Sequence, residues 1–186
     1  MYVQEHRTTI IVLVIVLLIA GIVTISVLKK ATKTASAPTP AFESLAVTGN
    51  EPTYKSLSGT TINLSDYIGG ITIVQSWASW CPMCKKQLQN LSELSNNFDS
   101  DEVKILAINR AEPESTARLY LRSLDLTNDV QLVLDPNDRY YKSINGYTMP
   151  ETVIYDSAGN IIKHIHGEVT KDEISYIVNK ALTNQK

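Results

Sequence analysis

The chain opens with an unbroken apolar run. Residues 8–28 carry no charge over 21 positions and are dominated by Ile, Val and Leu. A helix of that length, rising 1.5 Å per residue, spans about 31 Å, close to the hydrocarbon thickness of a bilayer. A core helix would show a polar stripe, whereas this run is apolar all round and predicts a transmembrane helix behind a short tail, residues 1–7. Residues 29–52 are rich in Ala, Thr, Ser and Pro without apolar periodicity, and they read as a flexible linker. Ala35-Ser36-Ala37 has the small-residue form of a signal-peptidase site. The apolar run is longer than a signal core, however, and Pro38 would follow the cut, so an uncleaved anchor is expected.

From residue 53 to 186 the pattern alternates between periods of about two and about 3.6 residues. Short β-rich runs at 62–64, 71–76, 103–108 and 131–134 predict strands, the second and third apolar on both sides and hence buried. Leu88, Leu91, Leu94 and Phe98 recur at helical spacing and predict a helix over 82–98. Helices are also expected over 113–124, with Glu112 and Glu114 at the positive end of its dipole, and over 139–144. The runs 152–155 and 161–166 flank Asp156-Ser157-Ala158-Gly159-Asn160 and predict a hairpin. Ile174, Ile177, Val178 and Ala181 give a final helix its apolar face. The order implies an α/β domain with a mixed central sheet flanked by helices.

Composition narrows the function classes. Hydrophobic residues make up 44% and charged residues 19% of 186, ordinary for one packed domain with attachments. The first 33 residues hold Arg7, Lys29, Lys30 and Lys33 against Glu5. That leaves 13 of the 17 Lys and Arg and 18 of the 19 Asp and Glu for the rest, a net of −5. A protein that tracks a nucleic-acid backbone needs clustered positive charge, so no nucleic-acid partner is expected. The lysines after the apolar run would by themselves place the body on the cytoplasmic side.

Two cysteines can build neither a disulfide-rich scaffold nor a four-thiolate zinc site. They occur in Trp77-Ala78-Ser79-Trp80-Cys81-Pro82-Met83-Cys84, directly after the 71–76 strand. Cys81 is placed at a helix N-terminus, where unpaired backbone N–H groups favour an anion and raise the thiolate fraction. Pro82 suits the first helical position, since it needs no donor there. Cys84, one turn further in, is expected to be more buried and able to attack a mixed disulfide on Cys81.

These residues resemble the thioredoxin-like thiol–disulfide oxidoreductases, in particular the membrane-tethered branch related to cytochrome c maturation thioredoxins. The likeness covers about residues 53–186. Residues 57–66 are similar to that branch's opening hairpin, and the 103–134 region to its extra helix–strand stretch. Thr148-Met149-Pro150 resembles the family's cis-proline loop, which faces the dithiol and binds substrate backbone. The resemblance implies a thioredoxin-like sandwich, a redox disulfide between Cys81 and Cys84, and a substrate edge formed by Trp80, Met149 and Pro150. It implies no metal or organic cofactor. The expected partners are protein thiols and disulfides, together with a membrane or extracytoplasmic electron donor or acceptor. Because cytosolic thioredoxins need no anchor and folding disulfides persist outside, this chemistry argues for an extracytoplasmic body, and it is preferred over the charge count. The sequence departs from the family pattern at Gln75, Gln87 and Gln89. Thioredoxins often hold a buried acid at the first, the tethered branch Glu at the second, and a helix-kinking proline is expected at the third. Neither Gln75 nor Gln87 can take the Cys84 proton, because an amide does not titrate in the working range.

The same residues fit plainer roles less well. Zinc on the Cys pair would need His164 and His166, which are expected on opposite faces of their strand, so that at most one could join a common site. Copper carriers of this fold usually space their cysteines by three residues rather than two. A peroxiredoxin would hold Thr and Pro where Ala78 and Val74 stand. The remaining alternative is a non-enzymatic binding module whose cysteine pair is structural or metal-holding.

Overall fold

The computed structural model describes residues 53–124, 126 and 130–184; the predicted tail, transmembrane segment and linker, residues 1–52, lie outside these residues. No helix among the described residues is long and apolar enough to cross a membrane. The strands are β1 (Tyr54–Ser56), β2 (Thr61–Ile62), β3 (Ile71–Trp77), β4 (Val103–Arg110), β5 (Val130–Asp135), β6 (Glu151–Tyr155) and β7 (Ile161–His166). The helices are α1 (Pro82–Ser95), α2 (Glu114–Leu121), α3 (Arg139–Ser143) and α4 (Lys171–Asn184), with a 3-10 turn at Leu64–Tyr67. The strands form one sheet in the order β2-β1-β5-β4-β3-β6-β7. β3, β4 and β5 run parallel, and β1, β6 and β7 join antiparallel to their neighbours. This is a thioredoxin-like α/β fold with a mixed sheet.

Helices on both faces account for the continuous apolar runs, since a strand covered on each side has no solvent face. All seven residues of β3 are buried. On one face Ile73, Trp77, Cys84, Leu88 and Leu91 pack with Ala117 of α2 and with Ile174 and Val178 of α4. On the other, Val74, Leu106 and Val153 pack with Tyr140 and Ile144 around α3. The dithiol helix and α3 thus lie on opposite sides of the sheet.

Boundaries moved where local hydrogen bonding overrode pattern. The strand expected at 62–64 stops at Ile62, because the Asp66 carboxylate accepts from the Asn63 backbone and side-chain amides and starts the 3-10 turn. The first helix ends at Ser95 rather than 98, with Asn96 as its C-cap. The expected 113–124 helix is shorter, Pro113 being its N-cap. β1, three residues too short to show a period, was not anticipated. In the β6–β7 hairpin the Asp156 side chain accepts from Ala158 and Asn160, and Gly159 adopts φ 83°.

Candidate active site around the Cys81–Cys84 pair

β3 ends at Trp77, and four residues later α1 begins with Cys81 as its N-cap and Pro82 in its first turn. Cys81 and Cys84 are joined by a disulfide, with Cα atoms 5.3 Å apart. The Cys81 Sγ also accepts from the Cys84 backbone N–H at 3.2 Å. The sulfur nearest the helix entrance therefore occupies the place where an N-cap acceptor sits, facing amides that stabilise negative charge. Cys81 is 3% exposed and Cys84 fully buried. Trp80, at 61% exposure, and Met83, at 43%, stand out beside them and offer an apolar surface next to the sulfurs. Trp77 is core, stacked on Tyr120 with ring centroids 5.7 Å apart.

The turn between β3 and α1 is braced by a residue that sequence reading assigned only to a helix dipole. Glu112 Oε2 accepts from the Ser79 backbone N–H at 2.8 Å and from Asn109 Nδ2 at 2.7 Å, and its Oε1 accepts from the Ser79 hydroxyl. Ala111, just before it, adopts φ 53°, a left-handed conformation that costs a non-glycine residue about 1–2 kcal/mol. Glu112 follows directly and meets the turn before Cys81 through Ser79. No spacing rule flags it, because Ser79 and Glu112 are 33 residues apart.

The Met149–Pro150 peptide bond is cis. Ser76 pairs with Glu151, so this loop lies at the same end of the sheet as the turn leading to Cys81. Met149 packs against the core cluster containing both cysteines, and Pro150 is buried. Four hydrogen bonds hold the loop. Tyr141 donates its hydroxyl to Thr148 O at 2.8 Å, Gly167 N donates to Pro150 O at 2.9 Å, and Glu151 Oε1 accepts from the Tyr147 and Thr148 amides at 3.0 and 3.1 Å.

Gln75 and Gln87 are both buried. The Val169 amide donates to Gln87 Oε1 at 3.3 Å, whereas neither end of the Gln75 amide has a hydrogen-bond partner among the described residues. Gln75 shares its face of β3 with Ile73 and Trp77, the face that carries the cysteine cluster.

The expectation about the histidines is overturned. Residues two apart on a strand point to the same face. His164 Nε2 and His166 Nδ1 both approach Glu151 Oε2, at 2.9 and 2.7 Å. Burial lowers the His164 pKa, the Glu151 carboxylate opposes that pull, and His166 adds to the lowering. Neither imidazole is brought to the cysteines.

Comparison with known proteins identifies the family. The model of the AhpC/TSA family matches residues 38–164. The thiol–disulfide oxidoreductase ResA of Geobacillus kaustophilus is 30% identical over 118 residues, which cover 63% of this chain and 67% of that protein. The sporulation thiol–disulfide oxidoreductase A of Bacillus subtilis is 28% identical over 123 residues, 64% of this chain and 73% of its own. Among solved structures, StoA from Bacillus subtilis superposes with a TM-score of 0.60 at 24% identity, covering 71% of this chain and 98% of that one. The pneumococcal exposed lipoprotein thioredoxin Etrx1 from Streptococcus pneumoniae superposes with a TM-score of 0.64 at 22% identity, covering 70% and 99%.

Proposed function

The chain belongs to the AhpC/TSA family and its relatives are thiol–disulfide oxidoreductases, and from that premise we propose that it is a membrane-anchored oxidoreductase working outside the cytoplasm on protein thiols and disulfides. Cys81 and Cys84 are the redox pair. In the reducing direction, the Cys81 thiolate attacks a substrate disulfide. One Cys81–substrate S–S bond forms as the substrate S–S bond breaks, and the released sulfur leaves as a thiolate that takes a proton. Cys84, deprotonated, then attacks the Cys81 sulfur, frees the second substrate thiolate and closes the Cys81–Cys84 disulfide. Two electrons have passed to the substrate, and an electron donor must reopen the pair. The oxidising direction is the same sequence reversed, with an acceptor in place of the donor.

The observation that carries this reading is the position of Cys81, whose sulfur caps α1 and accepts from the Cys84 amide. A thiolate there is stabilised by amide dipoles, which lowers its pKa and makes it the attacking sulfur at neutral pH. Trp80, Met149 and Pro150 form the substrate edge, an extended segment lying across the backbone ahead of the cis peptide. With a Gln at both 75 and 87, the Cys84 proton passes to water rather than to a carboxylate at either position.

Anchoring rests on residues 8–28, and the extracytoplasmic side rests on the persistence of disulfides there. Likeness to the cytochrome c maturation thioredoxins makes the disulfide of an oxidised apocytochrome the first protein substrate to try. Reduction of insulin disulfides tests the activity. Cys81→Ala should abolish turnover, and Cys84→Ala should accumulate a mixed disulfide through Cys81; turnover by Cys81→Ala would overturn the assignment. Labelling of intact cells by an impermeant alkylating reagent tests the side, and labelling only after lysis would place the body in the cytoplasm. A reduction potential well below that of glutathione marks a reductant, and one well above it an oxidant.

A further inference from the structure

The face of the sheet away from the dithiol helix carries a second cluster of donors. Glu151 and His166 are direct partners across β6 and β7, and His164 lies two residues along on the same face. One ring nitrogen each of His164 and His166 and a Glu151 carboxylate oxygen all lie within 4.8 Å of one another. The two imidazole rings are 4.2 Å apart between centroids. Two imidazoles converging on one oxygen of a fully buried carboxylate form a donor set, not a solvated surface pair.

We infer that Glu151, His164 and His166 form a binding site for a divalent transition metal of the zinc class, distinct from the cysteine pair. Two neutral imidazoles and one carboxylate make a three-ligand set of the kind zinc accepts with a fourth position open. Imidazole donors favour zinc, copper or nickel over magnesium and calcium, which prefer oxygen alone. Tetrahedral ligands at about 2.0–2.2 Å from one ion stand about 3.4 Å apart, so the 2.7 and 2.9 Å separations need widen only by about half an ångström or slightly more.

Three features prepare the site. The other carboxylate oxygen of Glu151 is fixed by the Tyr147 and Thr148 amides, an outer contact of the kind that orients a metal-binding carboxylate. Glu151 has no exposed side-chain surface, while His164 and His166 are 20% and 35% exposed, so an ion can enter from the histidine side. The Tyr147 ring packs on His166 with centroids 4.4 Å apart and restricts its rotation. The same carboxylate holds the amides ahead of the cis peptide, so an ion here ties metal occupancy to that loop.

Zinc titration of the full-length oxidised protein, whose disulfide removes both thiols from competition, tests the inference by calorimetry. One equivalent of Zn²⁺ should bind. Affinity should fall at least 10-fold in His164→Ala and in His166→Ala, whose fold is checked by circular dichroism without metal. The melting temperature of the wild type should rise with Zn²⁺, and that of the double variant should not. Should a variant fail to fold, Co²⁺ added to the wild type supplies the second readout. Visible d–d bands without thiolate charge-transfer absorption place the ion on nitrogen and oxygen. Absence of binding, binding unchanged in folded histidine variants, or a Co²⁺ spectrum showing thiolate ligation would each overturn the site.

Discussion

At the scale of single residues, the turn that presents Cys81 depends on a carboxylate remote in sequence. Glu112 satisfies the Ser79 amide, the Ser79 hydroxyl and Asn109 Nδ2 in a nearly closed environment. Removing a buried acceptor leaves its donors unpaired, at a cost of about 1–3 kcal/mol for each group that water does not reach. Glu112→Ala should lower the urea-unfolding free energy by about 2–3 kcal/mol. Glu112→Gln, which keeps an acceptor but adds a donor, should lose less. Ala111 makes the complementary case. Its left-handed backbone suits glycine, so Ala111→Gly should be neutral or stabilising by up to about 1 kcal/mol despite the greater freedom it gives the unfolded chain. Loss of more than that on urea unfolding would mean the Ala111 methyl packs favourably enough to outweigh its backbone cost.

Among the elements, the loop between α3 and β6 is fixed by close packing as well as by hydrogen bonds. A Cβ on Gly146 would meet the Tyr141 ring at 2.6–2.8 Å, too near for any side chain without movement. Tyr141 is held in turn by the Arg110 guanidinium, 3.4 Å over its ring centre, and Arg110 forms a paired ion contact with Asp138. Gly146→Ala should therefore displace Tyr141, release its bond to Thr148 O and destabilise the domain by about 1–3 kcal/mol, measured by thermal or urea unfolding. Helix α1 follows a simpler rule. Leu88, Leu91 and Leu94 are fully buried at helical spacing, and Leu91→Ala should cost about 2–5 kcal/mol through lost burial and the cavity it leaves.

Over the whole molecule, stability responds to pH through a carboxylate at the end of the central sheet. Burial raises the Asp135 pKa from its ordinary value, against the lowering pull of the Tyr140 amide and Arg139, and the nearby Asp138 carboxylate adds to the rise. A carboxyl whose pKa is higher folded than unfolded stabilises fully below its unfolded pKa, and that stabilisation is lost as pH rises through the folded value. Asp135→Asn keeps an acceptor for the Tyr140 amide and does not ionise. Its urea midpoint relative to wild type should be lowest in acid and rise as pH climbs through the folded pKa of Asp135. A difference that stays flat with pH would show that Asp135 titrates alike in both states.

The sequence by itself determined the order and type of the main elements, because apolar periodicity records which faces are covered. It also placed Cys81 at the head of a helix, since the C-P-x-C spacing and the preceding buried strand are local signals. It marked Pro150 through the resemblance of Thr148-Met149-Pro150 to a cis-proline loop, and the Met149–Pro150 bond is cis. Contacts between distant segments were decided only in three dimensions. Ser79 meets Glu112 because β3 and β4 run side by side, and His164 meets His166 at one carboxylate because β7 pairs with β6. Periodicity describes each segment against an averaged environment. Which side chains share one point in space depends on strand order and register, and these are settled by packing of the whole sheet.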